Sequence, residues 1–375
     1  MKKYSHRERV LATLNHQKPD RVPIDLMGNA SMLLDETYLS LRDYLNLSPI
    51  PPIRSGTTAN YYDERILEYL DIDFRRIFLK KNSKNKIVKD KDDTFTDEWG
   101  IQYRKTGQYV NAVTHPLLNL KNKKEVQNYS WPKAEDIFST EGLAEEAKHL
   151  FNETDHALVA RNPMPGGFLE HSCNLMSMEA FFVTLMYEPE IAQCIINHLL
   201  EIYKDVYTMF LDAVGPFVQM VEVSDDLGSQ DNLLISPQMY REFLKPAEFE
   251  LYNLIHEKAP NAALFHHTDG AVFDLIPDLI EVGVNVLNPV QTSSRGMEAK
   301  RLKESFGNSI TFHGTIEKLI KSKTTDELVA EVKNNIDSFG TGGGYILAPS
   351  NHIMDTEPEK IVLMYEVACE YSSLK

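Results

Sequence analysis

Short apolar runs rich in β-branched residues recur along this chain, each followed by turn residues and then by a helical pattern. Eight stand out: "RVPIDLMG" (21–28), "DFRRIFLK" (73–80), "HALVARN" (156–162), "FVQMVEVSDD" (217–226), "AALFHHTDG" (262–270), "VNVLNPVQ" (284–291), "SITFHG" (309–314) and "YILAPSN" (345–351). Runs that are nearly continuous in hydrophobicity suit strands buried on both faces, the condition of a parallel sheet covered by helices. Eight such units predict an α/β fold, a (β/α)8 TIM barrel. A doubly wound open sheet is the structural alternative. Its dinucleotide-binding form lacks a signature, since no G-x-G-x-x-G follows the first run. Among the intervening helices, "TDELVAEVKNNIDSFG" offers Thr325 as N-cap and Gly340 as the residue past the C-terminus.

Residues 81–135 break the alternation. A charge-rich "KNSKNKIVKDKDD" leads into "TFTDEWGIQYRKTGQYVNAVTHPL", which reads as a small antiparallel insertion after the second strand. With no linker rich in Pro, Gly or Ser, the expectation is one domain, 1–375.

Composition narrows the partners. Hydrophobic residues make up 42 % of the 375, enough for a large core, and the formal net charge is −16. An acidic surface argues against nucleic acid and anionic membranes, which attract clustered Lys and Arg. Cys173, Cys194 and Cys369 form no C-x-x-C pair and no even framework, as in a reducing cytosol. The start, "MKKYSHRERVLATLNHQKPDRVP", carries charge where a signal peptide needs an apolar run. A soluble cytoplasmic protein is expected.

In a parallel barrel the site lies at the C-terminal ends of the strands. The first run supplies Asp25 and Asn29; the third supplies Arg161, Asn162 and, further on, Glu170. The fourth ends in Glu222, Ser224, Asp225 and Asp226, and the fifth in His266, His267 and Asp269. Asn288, Gln291, His313, Ser350, Asn351 and His352 close the remaining three. A polar pocket follows, with Asp25, Asn29, Glu170, Gln291, His313, Asn351 and His352 as candidate substrate contacts.

"HTD" sets His267 and Asp269 two residues apart, on one side of an extended segment. With Glu222 from the neighbouring strand they could hold one metal ion, and nitrogen-plus-oxygen ligation suits zinc. The same residues also read as a turn at Asp269-Gly270 beside a buried, hydrogen-bonded histidine. Glu222, Asp225 and Asp226 could raise one another's pKa until one donates a proton at neutral pH, or could cap the helix after Ser236-Pro237. "FGTGGGYIL" precedes a strand rather than following one, so it reads as a tight turn and not a P-loop.

Several stretches taken together resemble the uroporphyrinogen decarboxylase superfamily, in particular its methyltransferase-like branch. They are "RERVLATLNHQKPDRVPIDL", "DEWGIQYR", "DDLGSQDNLLISPQMYREFLKPAEFELYNLIH", "HHTDGAVFDLIPDLIEVGVNVLNPVQ", "GGGYILAPSNHI" and "DTEPEKI". The resemblance implies a (β/α)8 barrel with its site at the strand ends. The decarboxylase grips tetrapyrrole propionates with an arginine-rich segment after its first strand; here "MGNASMLLDETY" has no arginine. Thiol-directed corrinoid methyltransferases hold zinc with H-x-C and a later cysteine. Those positions look like His267, Asp269 and Asn351 here, so both thiolates are absent.

What remains is similar to the methyltransferase I components of O-demethylase systems, which pass a methyl group from a methoxylated compound to the cobalt of a separate corrinoid protein. The resemblance then implies an acid for the ether oxygen: zinc, or a protonated Glu222, Asp226 or His267. It is compatible with a homodimer. A decarboxylase-like lyase for an acidic small molecule and a non-catalytic tetrapyrrole or corrinoid binder are the alternatives.

Overall fold

A computed structural model of the chain describes residues 3–29, 31–54, 57–82, 88, 89, 94–107, 109–317 and 322–374. Seven strands form one sheet in sequence order: β1 (Phe74–Ile77), β2 (Ala157–Ala160), β3 (Met220–Ser224), β4 (Ala263–His267), β5 (Val286–Asn288), β6 (Thr311–Ile316) and β7 (Tyr345–Pro349). Every neighbouring pair is parallel. A doubly wound sheet would reverse its order at a switch point. The strictly sequential order instead gives an α/β fold with a TIM-barrel-like parallel sheet.

The first apolar run is less than a strand. Ile24 makes an isolated parallel bridge to Leu347 of β7. Asp25 N donates to Leu347 O at 2.9 Å, Leu347 N to Pro23 O at 2.9 Å, and Asp73 N to Ile24 O at 3.1 Å. Residues 23–25 thus join the two edge strands. Pro23 has no N–H to extend the ladder, and Met27 turns the chain away at φ 62°. Below this point Asp73, fully buried, accepts from Arg9, Arg21 and the Ile24 N–H, and lies 2.8 Å from His6 Nδ1.

Period-two alternation sorts the inner face into layers. Phe74, Ala157, Val159, Met220, Phe265, Val286 and Ile346 pack with Val10 as an apolar floor. Val10 comes from α1 (His6–Leu14), whose N-terminus is a capping box of Ser5 and Glu8. Two residues further along four of these strands stand Arg76, Glu222, His267 and Asn288. The floor is apolar, and the layer above it is ionic.

After β2 come α2 (Phe168–Met176), α3 (Met178–Tyr187) and the long α4 (Pro189–Val214). α5 (Lys245–Lys258) precedes β4, and α6 (Thr325–Phe339) precedes β7. Thr324 rather than Thr325 caps α6, because its hydroxyl accepts from Glu327 N while the Glu327 carboxylate reaches back. Gly340 is the C-cap at φ −74°, so it is not left-handed there. The left-handed turn comes later, at Gly342, Gly343 and Gly344.

Lys80–Lys81 pairs antiparallel with Phe138–Ser139, so the intervening segment leaves and rejoins at one place. Within it, Val88–Lys89, Thr94–Thr96, Gln102–Thr106 and Tyr109–Thr114 form a four-stranded antiparallel sheet. Residues 83–87, 90–93 and 108 of the expected insertion lie outside the described residues. The segment packs on α2: Trp99 meets the His171 ring edge-on at 4.2 Å, and Leu117 N donates to Leu175 O. Among the described residues, no helix is long and apolar enough to cross a membrane.

Candidate active site

The ionic layer is a chain of paired groups. Arg76 is fully buried and forks onto both oxygens of the equally buried Asp25, each at 2.5 Å. It also donates to Leu26 O at 3.1 Å and reaches Glu222, with Nη2 and Oε1 3.3 Å apart. Arg161 approaches the second Glu222 oxygen at 3.3 Å. Two cations and two carboxylates thereby balance. Burial would raise the Asp25 carboxyl, but Arg76 and His313 outweigh it and hold it down at about 2.

That charge fixes the protons further along. Asp25 Oδ2 lies 2.8 Å from His313 Nε2, so this nitrogen carries a proton and donates. In neutral His313, Nδ1 is then an acceptor, and the Asn288 amide donates to it at 2.8 Å. Asn288 Oδ1 is left to accept from His267 Nδ1, also at 2.8 Å. In neutral His267, Nε2 then keeps its lone pair, and it lies 3.7 Å from Asp226 Oδ1. An imidazole oriented this way by its other nitrogen is the usual form of a metal ligand.

Glu222 is not in that group. Its carboxylate is enclosed by Arg76 and Arg161, and in the strand register it pairs with Phe265 rather than His267. The third donor beside His267 and Asp269 is Asp226; one ligand atom from each lies within 4.8 Å of the others. Backbone geometry assembles them: Asp269 N donates to Asp226 Oδ1 at 2.9 Å. Gln291 then braces the turn, donating to Asp269 Oδ1 and accepting from Gly270 N. One imidazole nitrogen and two carboxylate oxygens fit a divalent ion of borderline hardness.

Asp225 and Glu170 are the acids whose protons are held. Asp225 accepts from Leu169 N and Glu170 N and so clamps the start of α2. Neither it nor Asp226 caps the helix after Ser236, whose own hydroxyl does so. Burial pushes Asp225 up to about 7 against its backbone donors. Glu170 is pushed well above the ordinary range by burial and by Asp226, Asp225 and Asp269. Gly167 makes the clamp possible, since a Cβ there would stand 2.2 Å from Asp225 Cβ.

These groups open on a cavity of about 690 Å³ at the C-terminal ends of the strands. Glu170, Asp226, Asp269, Gln291 and Ser350 line it. Asp25 and His313 stand behind His267, reaching it only through Asn288. Asn29, Asn351 and His352 are half-buried and outside the cavity wall. His352 Nδ1 accepts from Met32 N, and Asn351 Oδ1 from the His352 N–H. His266 points the other way, to Tyr252 among the helices.

Sequence reasoning did not single out Arg76, although an arginine inside an apolar strand run signals a buried partner. Nor did it find His115, Asn174, Met178 and Phe182 of the wall, which come from the insertion and from α2 and α3. Cys173 also lines the cavity, but burial and the nearby Asp225 and Glu170 push its thiol up to about 12. A thiol raised in that direction is a poor source of thiolate at neutral pH.

A parallel TIM-like sheet with a polar cavity over its strand ends defines the structural class. The chain belongs to the uroporphyrinogen decarboxylase (URO-D) family, whose sequence model matches residues 167–371. Among solved structures, a methyltransferase from Methanosarcina mazei is similar over 98 % of this chain and 99 % of its own, with TM-score 0.65 and 16 % identity. The native xylanase 10B from Thermotoga maritima overlaps 64 % of this chain and 82 % of its own at TM-score 0.38 and 10 % identity, too slight to bear on function. No curated protein sequence matches the chain.

Proposed function

We propose that the protein is a cytoplasmic methyltransferase that moves a methyl group from a methoxylated or methylated small molecule to the reduced cobalt of a separate corrinoid protein. In this proposal the chain is one domain, 1–375, with 81–135 as an insertion that brings His115 to the cavity. The observation that carries the proposal is the wall itself: acids in number and, among the described residues, no lysine and a single cysteine whose thiol is pushed up. Cys173, with its thiol at about 12, is the nearest to a nucleophile and is not one. The methyl acceptor must then arrive from outside, over the open strand ends. The full-length likeness to a protein titled methyltransferase points the same way.

A methyl–oxygen bond breaks with its electron pair on oxygen, and an alkoxide leaves poorly. Glu170, its carboxyl raised by burial and by Asp226, Asp225 and Asp269, is the candidate donor of the proton that oxygen needs. Asp226, His267 and Asp269 would hold a divalent ion; bound there, it would polarise the departing heteroatom. Asn288, His313, Asp25 and Arg76 keep the imidazole turned toward that position.

A lyase acting on an acidic substrate would need cations at its wall, and none lines the cavity among the described residues. Methyl transfer to reduced cobalamin, from a panel of methoxylated aromatics and simple methylated compounds, tests the proposal. Loss of the reduced-cobalt spectrum with at least one donor is expected. No turnover with any donor, with corrinoid protein also supplied, would remove the proposal, and carbon dioxide release instead would favour the lyase.

A further inference from the structure

We propose that the outward face of α3 is the surface on which the corrinoid protein docks to deliver the methyl acceptor. This rests on the methyl-transfer proposal and places its partner on the molecule. α3 reads "MEAFFVTLMY", with Glu179 as its one charged residue. One side is turned inward, where Phe181, Thr184 and Leu185 are buried. The other side is bare: Met178 and Val183 are each 52 % exposed, Met186 67 % and Tyr187 76 %.

Helical spacing gathers these side chains into one patch. Residues four apart are neighbours on a helix surface, so Met178, Phe182 and Met186 form one ridge and Glu179, Val183 and Tyr187 the next. A helix that is apolar on every side is ordinarily buried on every side. A contiguous apolar patch left in water marks a contact surface. Exposed Glu179 lies within the patch, and exposed Glu188 and Glu190 follow it in the chain. The fitting partner therefore has an apolar centre with a basic rim, which the net charge of −16 would also attract.

The start of the ridge identifies the occupant. Met178 and Phe182 line the cavity, so the ridge begins at the mouth and continues outward for about 12 Å to Met186. Methyl transfer requires the cobalt to come within about 3–3.5 Å of the methyl carbon. A carrier that lowers its cobalt that far must rest its own surface on the rim. A second copy of this chain on the same ridge would instead close the mouth against the acceptor. Ten helical residues, about 15 Å in length, give only part of the roughly 800 Å² that each side of a stable complex buries. Docking here is transient, as a carrier that must arrive, react and leave requires.

Met186→Glu combined with Tyr187→Glu tests the assignment, since both residues are exposed and neither lines the cavity. The acceptors are free cob(I)alamin and a corrinoid protein reconstituted with hydroxocobalamin and reduced by titanium(III) citrate. KM for the corrinoid protein should rise at least about tenfold, while kcat at saturation and transfer to free cob(I)alamin stay within about twofold. The unfolding midpoint should not change. An unchanged KM, or an equal loss with both acceptors, would overturn the docking surface and leave methyl transfer standing. Photo-crosslinking from Tyr187→p-benzoylphenylalanine reads the neighbour directly. An adduct with the corrinoid protein supports the assignment. An adduct with a second copy of the chain, or a native dimer that the double substitution dissociates, overturns it. No turnover with any donor and either acceptor would end the methyl-transfer proposal and the docking surface with it.

Discussion

His267 Nδ1 lies 2.8 Å from Asn288 Oδ1, and that hydrogen bond decides which imidazole nitrogen is turned toward Asp226. Asn288 is fully buried and sits directly across from His267 in the strand register. Its orientation is set in turn by His313 and Asp25. A charge on Arg76, four groups away, thus dictates the tautomer of a candidate ligand.

Asn288→Leu removes the acceptor and frees His267 to rotate or to protonate Nε2. Affinity for zinc or cobalt(II) should fall by about 10- to 100-fold, the usual cost of losing such a partner. Competition with a chelating dye measures it. Unchanged affinity, in a variant with the native unfolding midpoint, would show that Asn288 does not orient the site.

Removing the guanidinium strands two buried carboxylates. Arg76→Met should cost about 3–5 kcal/mol in chemical denaturation, since Asp25 is left with His313 alone and Glu222 with Arg161 alone. Adding Asp25→Asn and Glu222→Gln to that variant should recover most of the loss. If the triple variant is no better than the single one, packing around Arg76 matters more than its charge. The site is certainly close-packed: a Cβ at Gly28 would stand 2.4 Å from Arg76 Nη2.

Much of this was legible in the sequence, and the remainder was hidden for definable reasons. Apolar runs separated by helical patterns locate the seven strands because burial on both faces leaves little choice of residue. The first run reads equally well as a strand, yet Pro23 and the turn at Met27 reduce it to a bridge. His267 and Asp269 share a side by simple alternation, and Asp226 joins them through a loop conformation that spacing does not reveal. Glu222 stands beside Arg76, 146 residues away in sequence, and no local pattern announces that pairing.

Cys173 lines the cavity without being reactive. Cys173→Ala should therefore retain methyl transfer within a few-fold, and iodoacetamide at neutral pH should leave Cys173 unlabelled, as mass spectrometry of tryptic peptides would read. Rapid alkylation of Cys173 with parallel loss of transfer would revive a nucleophilic thiol and undercut the need for an external acceptor.

The pH dependence of stability should have two limbs with separate owners. Burial holds His171, His266 and His352 down at about 3, below their ordinary 6.5. The unfolded chain binds those protons first, so stability is lost as pH falls from about 6.5 toward 3. Glu248 behaves oppositely. Burial raises its carboxyl from 4.5 to about 8, with Tyr240 Oη as the hydrogen-bond donor to one oxygen and no partner on the other. Its contribution is full below about 4.5 and disappears as pH rises through 8. Asp225 and Glu170 are raised likewise and share this limb, so Glu248→Gln should shrink the alkaline decline and leave the acid limb alone. Urea midpoints at pH 5, 7 and 9 for both proteins separate the two. An equal alkaline decline in the variant would mean that the proton on Glu248 is not what the folded state retains.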